Sequence, residues 1–130
     1  MIGYSLVGTN DIDRARAFYD ALFGAIGVGK LWDSPRSVAW GMAFDKPAFG
    51  ISVPHDEQPA TVGNGSMLAL AQPTRAQVDT LYTKAIELGG QDEGAAGLRG
   101  EEGDMAFYGA YVRDLDGNKL CFFRMGPADT

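Results

Sequence analysis

Cys121 is the only cysteine of the chain and His55 the only histidine. With one thiol and one imidazole, each position carries weight. A thiol acts as a nucleophile only when a base or a positive field lowers its pKa. Cys121 lies between Leu120 and Phe122, with Lys119 two residues away on the same strand face and Arg113 on the expected partner strand. That setting reads first as a small apolar residue and second as a reactive thiol. His55 sits in a polar stretch, HDEQPATVGNG, and reads as a solvated side chain. Glu101, Glu102 and Asp104 form an acidic loop, and Asp114 and Asp116 belong to the turn DLDGN, where Asp accepts local backbone hydrogen bonds. Neither group has the spacing of a divalent-metal site, which needs His nitrogens or carboxylates converging on one point.

The elements that position these residues are read from hydrophobic period. Ile12, Ala15, Tyr19, Leu22, Phe23 and Ile26 recur at three- and four-residue steps and predict a helix over about 11–25, with Asn10 able to cap it. Val78, Leu81, Tyr82, Ala85 and Leu88 predict a second helix over about 74–88. Thr74 and Gln77 have capping-box spacing, and Gly89-Gly90 supplies the stop. Strands are expected at 28–33, 37–44 and 49–54, and again at 91–96, 106–113 and 118–125. The stretch from Tyr4 to Gly27 aligns without gaps on Met67 to Gly90, at an offset of 63 residues. The chain therefore reads as one α+β domain over 1–130, built as two βαβββ modules. Module 1 spans 1–54, a linker 55–64, and module 2 65–130, with a curved mixed sheet around a cleft.

Composition sets outer bounds. The chain has 130 residues, 45% of them hydrophobic, with a net charge of −6. Its 11 basic residues form no run, which argues against nucleic-acid binding. An acidic surface mildly favours cationic small molecules. No apolar stretch is long enough to span a bilayer, no secretory leader is visible, and a single cysteine fits a reducing, cytoplasmic setting.

The motifs GTNDIDRARAFYDALFGAIG, GNGSMLALAQPTRAQVDTLYTKAIELGG and YGAYVRDLDGNKLCFF, with KPAFGISVPHDEQPAT, together cover nearly the whole chain. They resemble the vicinal oxygen chelate superfamily of glyoxalase I, extradiol dioxygenases, and bleomycin and fosfomycin resistance proteins. The resemblance implies a homodimer. It also implies, in metal-dependent members, His, Glu or Gln on the first and last strands of each module. Here those positions carry Tyr4, Met67 and Cys121, with Ser52 taken as the first-module counterpart of Cys121. The expected ligands are replaced, so no cofactor and no metal are assigned.

A soft, aromatic cleft remains. Its expected lining is Tyr4, Trp40, Phe49, Ser52, Met67, Tyr108, Tyr111, Cys121 and Phe123, with Met42 a further candidate and Trp32 left undecided. The leading reading is metal-free binding of a small, partly apolar or aromatic molecule. Two alternatives stay open: a metal-dependent glyoxalase-type lyase or dioxygenase, and a degenerate module that serves in dimerisation.

Overall fold

The computed structural model describes residues 1–130. The first module runs β1 (Tyr4–Gly8), α1 (Ile12–Gly24), β2 (Lys30–Asp33), β3 (Ser37–Trp40) and β4 (Ala48–Ser52). The second repeats it with β5 (Leu68–Ala71), α2 (Arg75–Glu87), β6 (Gln91–Arg99), β7 (Phe107–Arg113) and β8 (Lys119–Met125). Each module forms its own four-stranded mixed sheet, ordered β1-β4-β3-β2 and β5-β8-β7-β6. In both, the first strand pairs in parallel with the last, and the remaining pairs are antiparallel.

Local chemistry explains the boundaries. α1 starts at Asp11, whose carboxylate accepts the Arg14 N–H at 3.1 Å. Asn10, the cap expected from sequence, instead exchanges hydrogen bonds with Ala60 of the inter-module loop. Thr74 caps α2 as read, accepting the Gln77 N–H. The Arg75 and Ala76 amides donate to Asp129 near the C-terminus, so free donors of the first turn are satisfied from across the chain. β3 ends at Trp40, earlier than sequence implies, because Gly41–Pro47 turns away and leaves Met42 and Phe44 exposed. β6 continues to Arg99, longer than expected, through a bulge around Gly94.

The helix-bearing faces of both sheets merge into one core of 16 buried residues, centred on Tyr19, Leu22, Val78, Leu81, Leu120 and Phe122. Strand alternation decides which residues enter it. On β8, Leu120 and Phe122 face α2, and Cys121 and Phe123 face away; on β4, Phe49 and Ile51 face α1, and Gly50 faces away.

The β7–β8 turn ties the modules together. Buried Asp114 accepts the Tyr19 hydroxyl at 2.5 Å, the Asp116 and Asn118 amides at 2.9 Å each, and the Asn118 side-chain N–H at 3.0 Å. Asp116 accepts the Thr9 hydroxyl and the Asn10 amide, and the Asn118 side chain donates to the Gly8 carbonyl. Burial, with Asp114 and its charge alongside, holds the Tyr19 hydroxyl well above the usual phenol range. No helix is long and apolar enough to cross a membrane.

Candidate functional site

The residues on the faces opposite the helices follow from register. On sheet 1, Tyr4 pairs with Ala48, Leu6 with Gly50 and Gly8 with Ser52. On sheet 2, Ala69 pairs with Cys121 and Ala71 with Phe123. The offset of 63 makes Leu6 equivalent to Ala69. The counterpart of Cys121 is therefore Gly50, two residues before Ser52, and Ser52 matches Phe123. This corrects the sequence assignment, where no local signal fixed the register of β4.

Four positions thus stand where the family resemblance implies ligands in metal-dependent members: Tyr4, Gly50, Met67 and Cys121. One has no side chain, one is a thioether, one a phenol and one a thiol. A Cβ at Gly50 would lie 2.6 Å from the Val38 carbonyl and 2.7 Å from Leu6 Cδ2, so packing has closed this position. Nowhere in the chain do three or more His, Cys, Asp or Glu side chains gather as a metal would require. The residues present do not fit a hard or borderline divalent metal. His55 is exposed in the loop after β4.

Of the nine expected lining residues, six face away from the helices: Tyr4, Ser52, Met67, Tyr111, Cys121 and Phe123. Trp40, Phe49 and Tyr108 do not share that face. Trp40 is 2% exposed and Phe49 5%, both packed around Tyr19 and Phe23. The Trp40 indole N–H donates to Asp20 on α1, and the Tyr108 hydroxyl donates to Asp79 on α2. Both sheet faces of this protein are apolar, and hydropathy alone cannot sort them.

Trp40 and Phe49 do border a different space. A cavity of about 590 Å³ lies between the modules, beside the end of α1 and the start of α2, where Leu68, Leu70 and Gln77 complete its wall. A second groove, of about 490 Å³, runs between the first strands β1 and β5, with Leu6, Met67 and Lys119 on its wall.

The outward face of sheet 2 carries most of the distinctive chemistry. Cys121 is 1% exposed and sits beside Tyr111 on the neighbouring strand. Burial pushes its thiol up from the usual range; Tyr111, Arg99 and Lys119 act in the opposite direction without prevailing. A raised pKa is the reverse of what a thiolate nucleophile needs, so Cys121 is a packed thiol in a wall. Burial and the neighbouring Cys121 also raise the Tyr111 hydroxyl.

Further along this face, the rings of Phe107 and Phe123 stack at 5.4 Å and 9°. Gly109 makes this possible: a Cβ there would meet the Phe107 ring at 2.6 Å. Arg99 from β6 and Lys119 from β8 flank the Tyr111 ring, 5.7 and 5.6 Å from its centroid. Sequence reasoning missed Phe107 and Arg99. Both lie where β6 and β7 run on beside the acidic loop, and the pairing of Arg99 with Phe107 is what brings them to this face. On sheet 1, Trp32 meets Tyr4 edge-on at 5.3 Å and donates to Ser37 Oγ, which places it on the outward face.

The sequence profile of the Glyoxalase/Bleomycin resistance protein/Dioxygenase superfamily matches residues 2–122. The crystal structure of a glyoxalase/bleomycin resistance protein from Albidiferax ferrireducens T118 is 36% identical and superposes with a TM-score of 0.84, covering 95% of this chain and 98% of that one. A glyoxalase/bleomycin resistance protein/dioxygenase family enzyme from Burkholderia phytofirmans PsJN (21% identity, TM-score 0.68, 95% and 97% covered) shares the fold. So does a lactoylglutathione lyase from Agrobacterium tumefaciens (20% identity, TM-score 0.66, 95% and 92% covered). A search of functionally curated proteins finds no match. The chain belongs to the glyoxalase/bleomycin resistance protein/dioxygenase superfamily.

Proposed function

We propose that this member of the superfamily binds a small, partly aromatic molecule against the Cys121-bearing face of sheet 2, without a metal. One observation carries the reading. The four positions that correspond to metal ligands hold Tyr4, Gly50, Met67 and Cys121, while the same face presents Tyr111 and the Phe107–Phe123 stack, all three rings half-buried. Aromatic walls with a few polar groups are the usual make-up of a small-molecule site. The protein acts by holding its ligand on that face.

The same reading makes the protein a homodimer. β1 and β5 are edge strands, and Tyr4, Leu6 and Met67 on or beside them are 58%, 42% and 44% exposed. Natural proteins cover such edges. Light scattering at micromolar concentration is expected to give twice the mass of 13.9 kDa.

The test is a fragment screen by protein-detected NMR, on protein purified without chelator and assayed for bound metal. Planar aromatic fragments are expected to shift the amides around Tyr111, Cys121 and Phe123, with no stoichiometric metal. Tightly held Zn, Ni, Mn or Fe, or shifts that avoid this face altogether, would overturn the reading.

A further inference from the structure

The overall charge of −6 points toward cationic ligands, but the distribution of ion pairs points the other way. Seven of the 11 basic residues pair with a carboxylate within 4.0 Å; the other four are Lys46, Arg99, Lys119 and Arg124. Two of the four converge on one ring, Tyr111, from the strands on either side of β7.

Arg99 is also held in place. Its guanidinium donates to the Ala95 and Gly97 carbonyls at 2.8 and 3.0 Å, so its charge is fixed beside the ring without being neutralised. Lys119 borders the groove between β1 and β5 as well as Tyr111. Arg113 lies on the same face, but Glu93 at 2.9 Å cancels it. The outward face of sheet 2 is thus an aromatic floor of Tyr111, Phe123 and Phe107 with two uncompensated positive charges at one end.

We infer that the ligand of this face is a planar anion, an aromatic or conjugated carboxylate, whose ring lies on the aromatic floor and whose charge meets Arg99 and Lys119. This rests on the small-molecule reading above and names its ligand class. A planar carboxylate matches the parts in order: the ring displaces water from Phe107 and Phe123, and the carboxylate accepts from a guanidinium and an ammonium. A cation in the same pose would face two like charges.

The test is a charge series on one skeleton: 2-naphthoate, 2-naphthamide and 2-naphthamidine, titrated by calorimetry and NMR at low salt. Two solvent-accessible charge contacts predict that the anion binds about tenfold tighter than the neutral amide, and the cation weakest. Raising the salt to about 0.5 M should shrink the gap, since exposed charges are screened. Arg99→Gln and Lys119→Gln should each remove part of the preference, weakening naphthoate more than naphthamide. Arg99→Lys keeps the charge and should retain most of it, which guards against a folding effect of losing the carbonyl contacts. Lys46→Gln, an unpaired cation elsewhere, should change nothing. If the neutral or cationic compound binds at Tyr111 as tightly as the anion, or if both Gln variants keep the wild-type preference, the anion inference fails and small-molecule binding stands. If no member of the series shifts this face, both fail.

Discussion

The two modules share a topology, an offset and a helix length, yet their outward faces differ. On sheet 1, β1, β3 and β4 place only Tyr4, Leu6, Gly8, Ser37, Ala39, Ala48, Gly50 and Ser52 there, none of them charged. On sheet 2, the matching strands bring Tyr111, Cys121, Phe123, Lys119 and Arg113. Gly50 faces Cys121 in the repeat, and Ser52 faces Phe123. Helix-facing positions stay large and apolar in both modules because they share one core, where volume is constrained. The outward positions have no such constraint. The repeat keeps the scaffold, and among these strands the charged outward residues lie on sheet 2 alone.

The turns differ in the same way. The β7–β8 turn reaches across to module 1 through Asp114, while the β3–β4 turn leaves Met42 and Phe44 76% and 79% exposed. The largest expected effect follows from this. Asp114→Ala removes the acceptor of four hydrogen bonds and strands the Tyr19 hydroxyl in the core, so it should destabilise by about 3–5 kcal/mol in urea unfolding. Phe44→Ser, in the other turn, should change stability by less than about 0.5 kcal/mol. Similar costs for the two would erase the contrast.

Next comes Gly50→Ala. The added methyl meets the Val38 carbonyl at 2.6 Å, and backbone cannot yield as a side chain does. A loss of about 1–3 kcal/mol is expected. Gly3→Ala, with nothing within 4 Å, should show no such penalty. A neutral Gly50→Ala would mean that the position is open, and the closed-site argument against a metal would weaken.

A third contrast lies at the helix starts, and pH exposes it. Asp11 caps α1 from the adjacent residue, but α2 also draws on Asp129, 53 residues beyond Ala76. The amides of Arg75 and Ala76 hold the Asp129 carboxyl below the usual carboxylate range, and the Arg75 guanidinium does the same for Glu102. A lowered folded-state pKa stabilises above the unfolded-state value and is lost as pH falls through the folded one. Stability should therefore fall as pH drops below about 4, where ordinary carboxylates begin to protonate. Asp129→Asn should flatten that part of the profile, measured by urea unfolding from neutral to strongly acidic pH. An unchanged slope would show that the tail does not cap α2.

Much of this was legible in the sequence. The helix stripes, the Thr74 cap and the offset of 63 are local or periodic signals, and α1 and α2 fall within one residue of their expected limits. The family followed from motifs spread over the whole chain. What was not legible depends on register and on which way a strand faces. Trp40 and Phe49 were expected beside Cys121, but β3 and β4 turn them into the core. Ser52 was taken for Gly50, because the parallel pairing of β1 with β4 is a long-range fact. Arg99 was invisible in the sequence, since pairing with Phe107 sets its face and its side chain reaches Tyr111 only by folding back onto the Ala95 and Gly97 carbonyls.

The smallest expected effect concerns Cys121. It occupies a position where the family resemblance implies a carboxylate in metal-dependent members, yet it is buried among Tyr111, Ala69 and the sheet backbone. Cys121→Ser changes little in volume and puts a hydroxyl beside the Tyr111 hydroxyl, so stability should shift by less than about 1 kcal/mol. Metal content should not change, and any planar ligand should bind with altered fit but not lose its charge preference, which belongs to Arg99 and Lys119. The thiol offers its own check. With its pKa held up by burial, it carries less thiolate at neutral pH than a free cysteine. Alkylation of the native protein should be slow, should accelerate only at pH above the ordinary thiol range, and should become fast in denaturant. Rapid labelling at neutral pH, with protection by a planar carboxylate, would instead make Cys121 a reactive group in the site and end the description of it as a passive wall.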